Sequence, residues 1–156
     1  NNRAVSAALH KLKYKDWVVS TSPDIIYPDD FREKLKLDTL DSNNMYGISR
    51  TFFTSYKDWL DYCKGVKSEK DFETIPGFCC GFTQVFDLNS PKIKNIPLEE
   101  LFPPNINVCD SDIWMLKRFH PDVRTCGKLD ISAIHLGNHG INNNGRPDND
   151  KSFFET

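Results

Sequence analysis

Apolar positions along the chain follow two periods. Ala4, Val5, Ala7, Ala8, Leu9 and Leu12 keep a helical spacing, with Arg3, His10, Lys11 and Lys13 largely opposite and Asn1 or Asn2 at the N-cap. A short β-type run, Trp17-Val18-Val19, follows, then small polar residues into Pro23-Asp24 and the pair Ile25-Ile26. Pro28 is placed to open a helix; Asp29, Asp30 and Glu33 complement its dipole, and Phe31, Leu35 and Leu37 give it an apolar face. Asp38 to Asn44 reads as a polar loop, and Met45 to Arg50 as a strand with Gly47 at a close backbone approach. Ser55 is placed to cap a helix holding Trp59, Leu60, Tyr62 and Cys63, which ends near Gly65.

The second half repeats the alternation less regularly. Val66 to Thr74 is a charged loop. In Pro76 to Leu88, residues 82–86 form a strand, and Gly77 and Gly81 let the backbone pass close to something large. Asn89 to Pro104 is loop-like, with one helical turn at Leu98 to Leu101. Asp110 or Ser111 then caps a helix whose apolar residues are Ile113, Met115, Leu116 and Phe119. Leu129, Ile131, Ala133 and Ile134 make the last strand, which ends at His135. The pattern by itself gives alternating helices and strands.

Composition narrows the class. At 156 residues, 38% hydrophobic with 11 Phe, the chain fits one domain with a real core. A net charge of −2 without a basic run argues against nucleic acid as the main partner. No apolar run nears the roughly 20 residues of a membrane span, and no signal peptide is visible. Five Cys, an odd number at irregular spacing with no C-x-x-C, point to reduced thiols and a cytoplasmic setting.

Four stretches carry candidate chemistry. The first is Asp16 to Phe31, DWVVSTSPDIIYPDDF, where a strand runs into an acidic turn; its plain reading is a strand-turn-helix joint with a solvated Asp24. The second is PGFCCGFTQVFDL, whose aromatics serve equally as sheet core. The third is Ser111-Asp112-Ile113-Trp114 with Arg118-Phe119, where helix capping alone accounts for the acids. The fourth is His135-Leu136-Gly137-Asn138-His139-Gly140 with Asn144-Gly145-Arg146; a His pair four apart is usually structural.

Together and in this order, the four stretches resemble the C-terminal part of GT-A fold glycosyltransferases, phage- and virus-type or bacterial members, across Asn1 to Arg146. In that family a strand runs into Asp-x-Asp and an apolar pair. Here the motif reads Ser22-Pro23-Asp24, so one carboxylate of the two is replaced by serine. The resemblance implies an incomplete GT-A domain, an α/β fold with a mixed sheet flanked by helices, over residues 1–140 and a loose tail over 141–156. The β-α units that hold the nucleobase would precede Asn1, making the chain a piece of a longer protein.

The implied activity is transfer of a sugar from a nucleotide-sugar donor to a hydroxyl acceptor, metal-assisted and inverting. Asp24 and His135, with His139 the alternate, would hold Mn²⁺ or Mg²⁺; oxygen and imidazole ligands suit Mn²⁺ better than Ca²⁺. Asn2, Arg3, Ser22 and Arg146 would meet the donor and its diphosphate. Gly81, Phe82, Gln84 and Trp114 would line the acceptor and sugar. Asp112, with Asp110 the alternate, would be the general base. Two other readings stand beside this one. One is a non-catalytic GT-A-like module that holds a glycan or a partner. The other is a metal-dependent hydrolase using Asp24, Asp112 and His135.

Overall fold

The structure is a computed structural model and describes residues 17–77, 79, 83–101, 108–122 and 125–136. In chain order the elements are β1 (Trp17–Thr21), β2 (Ile25–Ile26), α1 (Phe31–Leu35), β3 (Tyr46–Phe53) and α2 (Tyr56–Cys63), then β4 (Thr74–Ile75), β5 (Thr83–Asp87), α3 (Leu98–Leu101), α4 (Val108–Phe119) and β6 (Gly127–Leu136). The helix expected over residues 4–12 lies outside the described residues.

Local signals account for several of these. Ser55 caps α2: its Oγ accepts the Asp58 N–H at 3.1 Å, and Asp58 is held in turn by Lys67 at 2.7 Å. The Lys67 bond keeps the Asp58 carboxyl below its usual range. Pro28 does not open a helix directly; its carbonyl accepts the Phe31 N–H, and α1 starts after that turn. The helix expected to be capped at Asp110 or Ser111 begins earlier, at Val108. Positions 110–112 therefore lie inside its first turns, where acids still complement the dipole.

The described residues form a mixed sheet in the order β1-β5-β3-β6-β2, with β4 also on β3. β3 and β6 run parallel, and the remaining pairings are antiparallel. β1, β3 and β6 consequently point the same way. Between Gly47 and Ser49 the β3–β6 register shifts from Lys128 to Ser132, which places two extra residues on β6 and leaves the facing of every side chain intact.

This sheet cannot lie flat. β1 and β2 sit at its opposite edges, yet only Ser22, Pro23 and Asp24 separate them. Five flat strands would put those edges about 19 Å apart at about 4.8 Å per strand. Four Cα–Cα steps reach at most about 14 Å. The sheet must roll, and it approaches a barrel.

Its inner face carries Ile48, Val85, Ile131 and Ala133, with Trp17, Val19 and Ile25 and with Phe31 and Leu35 from α1. Outside, α4 buries Met115, Leu116 and Phe119 against Met45 and Phe86. Each such side chain contributes about 1.5–3 kcal/mol when fully buried. On another flank, Phe53 and Ile134 pack with Trp59 and Tyr62 of α2 and with Phe72. Two glycines serve this packing. A Cβ at Gly127 would land on the Tyr46 ring, and one at Gly77 would lie 3.3 Å from the Gly47 carbonyl oxygen, so the large object beside Gly77 is β3 itself.

His120, just past α4, ties that helix to the start of β3. Its Nε2 accepts the Met45 N–H at 3.2 Å, which only the neutral ring can do. Burial, and then the Lys92 ammonium, push its pKa down from 6.5. The unfolded chain therefore takes up this proton first as pH falls. Its contribution to stability is complete above about pH 6.5 and declines below it. The melting temperature should drop between pH 7.5 and pH 5.5. His120→Gln, whose amide oxygen can accept from Met45, should flatten that slope; an unchanged slope would show that other groups carry it.

Candidate cation-binding site

The turn Ser22-Pro23-Asp24 leaves the carboxyl end of β1, and His135 stands next to last on β6. Because β1, β3 and β6 run the same way, both residues reach one end of the rolled sheet. The Asp24 Oδ2 lies 3.4 Å from the His135 Nε2. The backbone reinforces the approach, since the Leu136 N–H donates to the Asp24 carbonyl at 3.0 Å and Ile25 pairs with His135. His135 is buried, with its side chain 3% exposed, while Asp24 keeps 19%. The pair thus has a dry side and a wet side.

The wall around His135 comes from β3. Phe52 pairs with His135 in register and packs edge-on against its ring at 4.9 Å between centroids. Arg50 is buried one pleat further, its guanidinium 5.7 Å from the Phe52 ring. Fixing an imidazole between an aromatic edge and a carboxylate sets its orientation and leaves Nε2 toward Asp24. The sequence reading stops β3 at Arg50 and omits Phe52. Period-two alternation carried on from Ile48 would have placed both Arg50 and Phe52 on that face.

The separation suits a shared cation. Ligand atoms each about 2.1 Å from one ion stand about 3.0–3.4 Å apart at octahedral-to-tetrahedral angles. One carboxylate oxygen and one imidazole nitrogen could hold an ion such as Mn²⁺ or Mg²⁺ only as part of a larger set, with the other positions left to water and phosphate oxygens. Among the described residues, no three His, Cys, Asp or Glu side chains gather as a metal-holding group.

The other predicted residues fall into three sets. Ser22 is in the same turn as Asp24, half-buried. Gln84 is buried on β5 and donates from Nε2 to the Cys79 carbonyl at 2.7 Å, which ties the strand to Cys79. Trp114 is exposed on α4, its Nε1 donating to the Glu100 carbonyl at 3.1 Å and the Arg118 guanidinium 4.8 Å over its ring. Positions 112 and 114 are about 200° apart around the helix axis. Asp110 and Asp112 belong to α4, but their side chains lie outside the described residues. So do Asn2, Arg3, Gly81, Phe82, His139 and Arg146.

Among the described residues, no helix is long and apolar enough to cross a membrane. Comparison with protein-family models, with curated proteins and with solved structures returns no significant match.

Proposed function

We propose that the chain contributes the metal- and acceptor-binding part of a GT-A glycosyltransferase, moving a sugar from a nucleotide-sugar donor to a hydroxyl acceptor with inversion. The observation that supports this reading is the meeting of Asp24 and His135, from far-apart segments, at a ligand-like 3.4 Å. Both are residues that the family resemblance implies as metal ligands.

In this reading Asp24 and His135 would hold Mn²⁺ or Mg²⁺, which would supply charge neutralisation for a departing diphosphate. Arg146, Asn2, Arg3 and Ser22 bind the donor. Asp112 accepts the proton of the acceptor hydroxyl as its oxygen bonds to the anomeric carbon and the bond to the diphosphate oxygen breaks. Gly81 and Phe82 offer surfaces for sugar rings, whereas Trp114 stands on the far side of α4 from Asp112. Gln84 acts through Cys79, whose carbonyl it holds. The cytoplasmic setting belongs to the same proposal; Cys63, Cys79 and Cys126 are free thiols.

Calorimetry tests the reading. Mn²⁺ should bind more tightly with a nucleoside diphosphate present, because phosphate oxygens complete a site with few protein ligands. Equal affinity with and without nucleotide would remove the shared site. Ser22, standing where the family has an acid, favours a second reading, a non-catalytic glycan-binding module. That reading expects glycan binding without sugar transfer in the native protein.

A further inference from the structure

Three hydroxyls stand beside the Asp24 turn. The Tyr27 O–H donates to the Thr21 Oγ1 at 2.6 Å, and the Tyr27 oxygen lies 2.8 Å from the Thr83 Oγ1. Thr21 in turn donates to the Ser22 carbonyl at 3.2 Å. Each hydroxyl has one proton, so these bonds have a single consistent direction. Thr83 donates to Tyr27, Tyr27 to Thr21, and Thr21 to the backbone of Ser22. Bonds aligned this way polarise and strengthen one another.

The chain also spans the seam of the rolled sheet. Thr21 ends β1 and pairs with Thr83, the first residue of β5, while Tyr27 follows β2 at the other edge. The Tyr27 ring is braced by Phe31, with centroids 4.1 Å apart. The turn is therefore gripped at the Ser22 carbonyl by the hydroxyl chain and at the Asp24 carbonyl by the Leu136 N–H.

The structure assigns Tyr27 as a positioning residue that, through Thr21 and Thr83, sets Asp24 against His135; its consequence for cation binding rests on the reading above. Residues behind a metal ligand typically alter affinity 10- to 100-fold. Tyr27→Phe and Thr83→Val each break the chain with little change of shape, whereas Thr83→Ser keeps it. Hydrogen exchange of the Leu136 amide reads the turn directly, and the Gly127 amide, bonded to the Met45 carbonyl at 2.9 Å, is the control on the same strand. Tyr27→Phe and Thr83→Val should speed Leu136 exchange about tenfold without moving Gly127, and should weaken binding of Mn²⁺ alone by about tenfold. Thr83→Ser should match the parent in both. Unchanged Leu136 exchange would overturn the assignment, as would an equal rise at both amides. So would unaltered Mn²⁺ affinity in Tyr27→Phe where the parent binds. A parent that takes no Mn²⁺ would end the cation reading alone, and the exchange comparison would still decide the role of Tyr27.

Discussion

Asp24→Asn should lower Mn²⁺ affinity by on the order of 10²-fold while the protein stays folded. The substitution keeps the shape of the side chain and removes its charge, and a neutral amide oxygen is a far weaker ligand for a hard cation. Asp24 reaches solvent, so the change leaves no buried cavity, and the melting temperature should move little. His135→Gln should weaken Mn²⁺ binding to a similar degree. It should also cost some stability, because His135 is buried against Phe52. The double variant decides whether the two act at one ion: a shared ion predicts little further loss beyond the worse single variant, whereas independent effects would multiply. Titration calorimetry or Mn²⁺ spin resonance reads the outcome. Parent-like affinity in Asp24→Asn would remove Asp24 from the site.

The second large effect concerns Asp112. Asp112→Asn should reduce sugar transfer by the native protein by roughly 10²–10⁴-fold, the usual contribution of a general base. Donor and Mn²⁺ binding should stay near the parent level, since in the proposed mechanism the group acts on the acceptor. Because α4 begins at Val108, Asp112 lies beyond the capping position. Its substitution should therefore cost about 1 kcal/mol or less. Asp110→Asn should leave transfer much closer to normal. Parent-rate transfer by Asp112→Asn would show that the base is elsewhere, and a dead Asp110→Asn would place it two residues earlier.

Local features of the chain were readable because their physics is local. The Ser55 cap, the apolar face with Met115, Leu116 and Phe119, and the alternation through Leu129, Ile131 and Ala133 each need only neighbouring residues to be recognised. The order of the strands was not readable. β2 is two residues long and its partner is at the far end of the chain, so no periodicity announces it. Likewise, Gln84 is as polar as a sugar ligand should be, yet its buried amide goes to Cys79, and a sequence does not show which carbonyl will be close. Asp24 and His135 were nominated by motif, but their separation is a property of the rolled sheet. Thr21, Tyr27 and Thr83 belong to no motif, and their alignment appears only when the two edges meet.

The parallel pairing of β3 with β6 also governs how the chain reaches its native state. Thr51 and Ser132, whose hydroxyls face each other across that pairing, are 81 positions apart. Closing so long a loop has an entropic cost that must be met before the contact gives anything back. Folding dominated by such non-local contacts is slow. A chain emerging from the ribosome has already produced Asp24 when β6 is still unmade, so nothing resembling the site exists until β6 has been made. The Asp24–His135 encounter forms only with the strand that completes the sheet, so in the proposed reading the ability to hold a cation would be coupled to finished folding and partly folded chains would lack it.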